Sequence, residues 1–447
     1  MESKSKRVSR RELLTGAAMT AGAAALAACT PAPAAAPTQA PAAAKVKLSL
    51  WKAPHSDQDE KFWTETLAEF TKANPDITVD YRVTPWDTFH EQYGTGYAGD
   101  GPPDVAYFPN TYYIRYAAAG QQVPLADLKF ADLNKWKALH DPAIWSQGAY
   151  GGKQYGLPFL QIGISFIWNK AHFKTAGLDP EKPPKTWEEL VAFGKKLTID
   201  KNGKHSDEAG FDPKNVTQWG YSIMDNTTGE MGNFVPVPIR NYGAEWLSAD
   251  GKEWIMNDDK AVKGLQIQVD MINKDHIAPP FGTFVGHDVD KAFTDGKISM
   301  QLSYCNFVLP FRDTMKFDMG ISMPPAGPAN AESLGGIGYW CMATKTKSRE
   351  ASWKLMEYLS SAPVEEKYTG LVKLFPCRTD INPFKDDKYM TAFAATQKGY
   401  MAAPILPFDY WSIILSESEA ALTGQKSSKD ALDAAAKRVN ELLAQQK

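Results

Sequence analysis

An α/β protein, long enough at 447 residues for two lobes or one large domain, is predicted by three stretches of the sequence. Val46, Leu48 and Leu50 alternate with Lys47 and Ser49, then Trp63, Leu67 and Phe70 recur at helical spacing, then Ile77, Val79, Tyr81 and Val83 alternate with polar residues. Strand, helix, strand at this length is a βαβ unit, so a parallel sheet is expected. Leu157 to Trp168 is a mostly apolar run suited to a buried strand, ended by Asn169-Lys170. In Thr186-Trp187-Glu188-Glu189, Thr186 as N-cap and Glu189 three residues on form a capping box. It opens a helix with Trp187, Leu190, Val191 and Leu197 on one face and Lys195 and Lys196 near its C-terminal end.

The first residues belong to export rather than to the fold. Lys4, Lys6, Arg7, Arg10 and Arg11 precede a short apolar run, Leu13 to Ala28, which falls short of the ~20 residues of a membrane span and reads as a signal peptide over 1–28. Ser9-Arg10-Arg11-Glu12-Leu13-Leu14 carries the twin-arginine pattern. Residues 29–44, CTPAPAAAPTQAPAAA, form an extended spacer with no core-building residues. Removing 1–28 takes away five basic and two acidic side chains, moving the formal charge from −3 to about −6. That argues against a nucleic-acid partner, which wants a basic stripe. Beyond Cys29 the thiols are Cys305, Cys341 and Cys377, enough for one disulfide and not for a disulfide scaffold.

Asn74-Pro75 stops the first helix. Asp100-Gly101-Pro102-Pro103-Asp104-Val105 opens a third strand, followed by Tyr107, Phe108, Asn110, Tyr112 and Tyr113. These lie where ligands bind in open α/β sheets, outside the carboxyl ends of strands. The polar excursion from 197 to 218 contains Asp200-Lys201-Asn202-Gly203, a fragment of a calcium loop that no later carboxylate completes. Asp259 to Ile272 reads as an amphipathic helix, and Phe317 to Met323 as a strand returning to the first lobe. Gly335-Gly336-Ile337-Gly338 lacks the Gly-Lys-Ser/Thr ending of a phosphate loop. Arg349 to Leu359 and the segment through Leu432, Ala435, Val439 and Leu442 are further helices.

Several motifs together resemble the family-1 extracellular solute-binding proteins, which feed sugars to ABC importers. They are Tyr155-Gly156-Leu157-Pro158, Trp168-Asn169-Lys170 (tryptophan for the usual tyrosine), Ala176-Gly177-Leu178 and Pro183 to Leu190. Pro102 to Val105, Ala292 to Met300, Pro376-Cys377-Arg378, Leu422-Thr423-Gly424 and Ser428 to Leu432 extend the resemblance over nearly all of Val46 to Leu443. Leu26-Ala27-Ala28-Cys29 resembles a lipobox, which implies a lipidated Cys29. The family resemblance implies a two-lobe, type II periplasmic-binding-protein-like fold, each lobe a mostly parallel sheet flanked by helices, with multiple hinge crossings. The expected N-terminal lobe is 45–158 plus 319–362, and the C-terminal lobe 159–318 plus 363–447.

No His-x-x-x-His, Cys-x-x-Cys, Gly-x-Ser-x-Gly or dinucleotide fingerprint is present, so neither metal, cofactor nor enzyme is expected. Aromatic residues are abundant, with thirteen tryptophans and eighteen tyrosines, and aromatic plates among amides and acids suit a carbohydrate cleft. Trp51, Phe108, Phe159, Phe307, Trp340 and Trp411 are candidate stacking platforms. Asp57, Asn110, Gln161, Asn233, Asn306 and Arg378 are candidate hydrogen-bonding groups, with Tyr112, Tyr304 and Tyr339 as further cleft residues. The expected protein is a monomeric, lipid-anchored, extracytoplasmic sugar-binding component that delivers its ligand to permease subunits. A peptide, polyamine or glycerol phosphate binder on the same fold stays open, as does an exported carbohydrate-active enzyme.

Overall fold

The computed structural model describes residues 45–99, 101–109, 112–223, 234–285, 288–397, 400–401, 403–404 and 406–445. The expected signal peptide and spacer with Cys29, and the candidates Asn110 and Asn233, lie outside the described residues. The main strands are β1 (Val46–Lys52), β2 (Ile77–Val83), β3 (Val105–Pro109), β4 (Gly156–Gly163) and β5 (Ser165–Asn169). They continue with β6 (Met300–Ser303), β7 (Met319–Ser322), β8 (Ser333–Met342), β9 (Phe375–Pro376) and β10 (Tyr400–Met401). The helices that matter below are α1 (Asp59–Ala73), α2 (Phe89–Ala98), α3 (Trp187–Leu197), α4 (Pro236–Asn241) and α5 (Asp259–Asn273). Later come α6 (Arg349–Leu359), α7 (Ala362–Val372), α8 (Lys388–Thr396), α9 (Trp411–Leu422) and α10 (Ser428–Ala444).

The fold is a two-lobe α/β architecture. A seven-stranded sheet has the order β9-β4-β8-β3-β1-β2, with β10 paired to β8, and a three-stranded sheet has the order β6-β5-β7. Parallel pairing is confined in the large sheet to β1 with β2 and β3, and β8 with β10. β3, β8, β4 and β9 pair antiparallel, and the small sheet is antiparallel throughout. The large sheet is therefore mixed and the small one antiparallel, rather than each being mostly parallel. β8 enters the large sheet from the small one and runs back between β3 and β4.

The apolar run from Leu157 to Trp168 is shared between the sheets. β4 stays in the large sheet through Gly163, beyond the crossing expected at 158, and β5 begins the small sheet at Ser165. At the junction Ile164 N–H donates to Leu334 O at 2.9 Å, and Ser333 Oγ donates to Ile164 O at 2.6 Å. Two crossings thus lie side by side. The strand at 319–322 pairs with β5, so it stays in the small sheet, and the return occurs at β8. β9 pairs with β4 in the large sheet, whereas α8 packs on β7 and α9 and α10 on α5. The stretch after 362 is accordingly divided between the two sheets.

Both faces of the large sheet are covered. Alternate residues of a strand point to opposite faces, so Leu48, Leu50, Val105, Tyr107, Trp340 and Met342 join one core with Trp63 and Phe70 of α1. Ala106, Phe108, Tyr339 and Cys341 join a second, aromatic core with Phe89, Tyr93 and Tyr97 of α2. Thr186 caps α3 as predicted, its Oγ1 accepting Glu189 N–H at 3.2 Å, whereas Glu189 Oε2 accepts Lys185 N–H at 2.7 Å, one residue before the N–H that a capping box uses. Trp187 is fully buried and donates from Nε1 to Asn241 Oδ1 at 3.1 Å.

α5 and α4 touch backbone to backbone. A Cβ on Gly264 would meet Ile239 Cα at 2.4 Å and Pro238 O at 2.9 Å. Gly264→Ala should therefore destabilise by about 1–3 kcal/mol through overpacking, although alanine favours an isolated helix by ~1 kcal/mol. Urea denaturation decides the sign; a stabilised variant would show that α4 can move away.

Cys305, Cys341 and Cys377 are all buried and unpaired, so the disulfide that their number allowed does not form. Burial pushes the Cys305 thiol up to about 12, and Cys341 and Cys377 also lie well above the usual thiol range.

Candidate ligand-binding cleft

A cleft of about 1080 Å³ opens between the two sheets. Its first wall comes from the large sheet: the β1–α1 turn from Pro54 to Glu60, Trp86 beyond β2, and Tyr107, Pro109 and Tyr112 at the end of β3. Leu160 and Ile162 of β4 and the Gly335–Gly338 backbone of β8 form the floor. The second wall is the segment after β6, with Tyr304, Asn306, Phe307, Phe311 and Arg312, joined by Trp411 at the start of α9. These positions are strand ends and the turns beyond them, where α/β sheets place ligands. Gly338 has a local reason to be glycine, because a Cβ there would meet Tyr107 Oη at 2.2 Å.

Under the first wall lies a buried polar network. Lys52 Nζ, fully excluded from solvent, pairs with Asp59 Oδ2 at 2.5 Å and donates to Ala53 O at 2.8 Å. Tyr368 Oη from α7 is 2.5 Å from Lys52 Nζ and donates to Asp59 Oδ2 at 2.7 Å. His55 Nδ1 sits 3.1 Å from Lys52 Nζ, and its Nε2 sits 3.2 Å from Tyr107 Oη. Lysine only donates when charged, so Nδ1 accepts and Nε2–H points to the tyrosine. Burial, reinforced by the charge of Lys52, lowers His55 to about 3, which keeps the imidazole neutral. Burial lowers Lys52 to about 8 against the pull of Asp59. For Asp59, burial opposes ionisation, but the charge of Lys52 and the bonds from Lys52 and Tyr368 outweigh it and hold the carboxyl below its usual range.

Of the candidates read from sequence, the structure brings Asp57, Tyr112, Tyr304, Asn306, Phe307 and Trp411 into the cleft lining. It places the others elsewhere. Phe108, Phe159, Tyr339 and Trp340 are fully buried in the two cores. Phe159 packs against Tyr368 and Trp340, with ring centroids 5.4 and 5.0 Å apart, and Tyr339 Oη donates to Ile144 O at 3.0 Å. Gln161 donates to Pro376 O at 3.1 Å and ties β4 to β9, because its neighbours Leu160 and Ile162 take the cleft side. Trp51 lies under Arg82, 4.6 Å from ring to guanidinium, away from the cleft. Arg378 clasps Asp380 at 3.0 and 2.7 Å and donates to Ser360 O at 3.3 Å. Asp200, suspected of nothing beyond a fragmentary loop, spends both oxygens on the backbone N–H groups of Asn202, Lys204 and Asp212. Sequence reading missed Trp86, His55 and Asp59, although the strand-end rule applied to β1 and β2 points at all three.

The chain matches the Bacterial extracellular solute-binding protein family over residues 53–366. A curated relative, the sn-glycerol-3-phosphate-binding periplasmic protein UgpB of Salmonella paratyphi A, is 25% identical over 415 residues, covering 85% of this chain and 89% of that one. Among solved structures, the ABC substrate-binding protein Lmo0181 from Listeria monocytogenes, in complex with cycloalternan, superposes with a TM-score of 0.76 at 20% identity, covering 90% of this chain and 99% of the other. The maltose/maltodextrin-binding domain MalE from Bdellovibrio bacteriovorus, bound to maltotriose, has a TM-score of 0.72 at 22% identity, covering 89% of this chain and all (100%) of the other. With most of its folded part matched and its two sheets arranged around one cleft, the chain belongs to the bacterial extracellular solute-binding protein family.

Proposed function

We propose that this protein captures a neutral carbohydrate, an oligosaccharide by the size of the cleft, and delivers it to the permease of an ABC transporter. The observation that carries this reading is the lining itself. Aromatic rings from both walls (Trp86, Tyr112, Tyr304, Phe307 and Trp411) face a space of about 1080 Å³ beside polar groups and open glycine backbone. Sugar C–H faces pack on such rings, and hydroxyls need the polar groups between them. The lobes close on ligand by hinge bending at the crossings, and the ligand favours the closed state by its differential affinity. The protein acts as a monomer held to the outer face of the cytoplasmic membrane through lipid on Cys29, after twin-arginine export, and performs no catalytic step.

Phosphorylated ligand is the second reading, favoured by the name of the UgpB relative. Charge weighs against it. Among the described lining residues Asp57, Asp59, Glu60 and Asp313 are acidic, while the cationic ones are Lys373 and Arg312, and Arg312 is already engaged by Asp387 at 2.7 Å. Thermal-shift titration with maltotriose, cycloalternan and sn-glycerol 3-phosphate separates the readings, since a ligand of the folded state raises the melting temperature. Phe307→Ala should weaken saccharide binding ~10-fold, the loss of about 1.4 kcal/mol of ring contact. Unaltered affinity in that variant would take Phe307 out of the site.

A further inference from the structure

A thiol fastens the second wall of the cleft to the first lobe. Cys305 follows β6 and is fully buried, while its neighbours Tyr304 and Asn306 both line the cleft. Its Sγ–H donates at 3.0 Å to the carbonyl of Lys373, the residue that ends α7. α7 is fixed to the large sheet, because its Tyr368 bonds to Lys52 and Asp59 and stacks on Phe159 of β4. Lys373 and Leu374 line the cleft themselves, so the two lobes touch on the cleft side of the crossings.

The acceptor has an uncommon backbone. Lys373 has φ of +56° and ψ of +42°, in the left-handed region where a side chain is costly and glycine is the ordinary choice. Among the described residues, His276 is the one other non-glycine with a positive φ. Backbone strain persists where the surroundings hold it, and such residues gather at ligand clamps and switch regions. In this cleft the strained residue is the one whose carbonyl meets the thiol. Burial raises Cys305 to about 12, so the proton that it donates stays in place across the physiological range.

We infer that the Cys305–Lys373 contact is a closing latch, which holds Tyr304, Asn306 and Phe307 against the first lobe and biases the cleft toward the state in which its walls meet. The second wall cannot swing away from α7 without giving up this bond. A thiol is a weak donor, which suits the task, since it shifts the balance between two states and prevents neither. Apparent affinity scales with the fraction of molecules in the binding-competent state, so Cys305 acts on binding through that fraction, as a positioning residue.

Three variants of the mature protein test this. Cys305→Ala removes the donor, Cys305→Ser keeps one at similar size, and Cys377→Ala, which empties part of the first-lobe core, controls for lost packing. Small-angle scattering gives the radius of gyration of the ligand-free protein, and calorimetric titration with maltotriose and cycloalternan gives the affinity. The expected result is a larger radius and a loss of ~3-fold or more in saccharide affinity for Cys305→Ala. Serine should reverse both changes, and Cys377→Ala should show neither even where its melting temperature falls. Wild-type radius and affinity in Cys305→Ala overturn the latch and leave the saccharide reading standing. A change that Cys377→Ala shares, or that serine does not reverse, overturns it too, because it reports packing. The titration rests on the saccharide reading: a wild type that takes neither saccharide overturns that reading, and the ligand-free radius alone then decides the latch.

Discussion

Replacing Lys52 by methionine should cost about 3–5 kcal/mol of folding free energy, measured by urea denaturation at pH 7. Methionine fills similar space, so the loss is electrostatic rather than steric. Asp59 would remain beneath the cleft wall, 1% exposed, with Tyr368 as its one remaining donor among the bonds of this network. An uncompensated buried charge is what makes the breaking of such a pair expensive, far more than the pair is worth intact. Lys52→Met combined with Asp59→Leu should therefore recover most of the loss, because it removes both charges at once. A single variant within 1 kcal/mol of wild type would show that water reaches Asp59 and that the network is not sealed.

Acid should begin to destabilise the protein below about pH 6.5, before the carboxylates titrate. His55 is held to about 3 by burial and the charge of Lys52, and His172 to about 4 by burial. His172 Nδ1 faces Ser299 Oγ at 3.0 Å, and its ring stacks on Phe317. In the unfolded chain both titrate near 6.5, so between about pH 6.5 and 4 the unfolded state binds protons that the native state refuses. Stability therefore rises with pH across that window and is fully present above it. Each histidine contributes a slope of about 1.4 kcal/mol per pH unit, so the two together remove roughly 7 kcal/mol by pH 4. That is comparable to the whole stability of an ordinary domain. Urea midpoints at pH 7, 5.5 and 4.5 measure the slope, and His172→Gln should reduce it. A flat profile over this range would mean that both imidazoles charge in place.

What the sequence disclosed and what it concealed divide along one geometrical line. Periodicity located β1, α1, β2 and α3, including the cap at Thr186, because those signals are local. The cleft lining was legible where a turn follows a strand, as with Asp57, Tyr112 and the Tyr304–Phe307 segment. It was obscured inside strands, since Phe108, Phe159, Tyr339 and Trp340 are aromatic for the sake of two cores and not of the ligand. Facing direction along β4 depends on register, and a shift of one residue exchanges Phe159 and Gln161 for Leu160 and Ile162. Nor could spacing reveal that Lys52, Asp59 and Tyr368, the last more than three hundred residues along the chain, meet at one point. The mixed sheet was hidden for the same reason, because the direction of β8 is a matter of where the chain re-enters.

The three interior thiols carry a consequence for life outside the cell. Thiol–disulfide exchange needs an accessible thiolate, and Cys305, Cys341 and Cys377 are buried, unpaired and held in the protonated form. Once folded, the chain is kinetically invisible to the oxidants of its surroundings. Among the described residues it needs no isomerase to choose a pairing and offers no accessible thiol for cross-linking two molecules. Its vulnerable moment is the unfolded one, so completing the fold in a reducing compartment before export would let it cross into an oxidising one with its chemistry already settled.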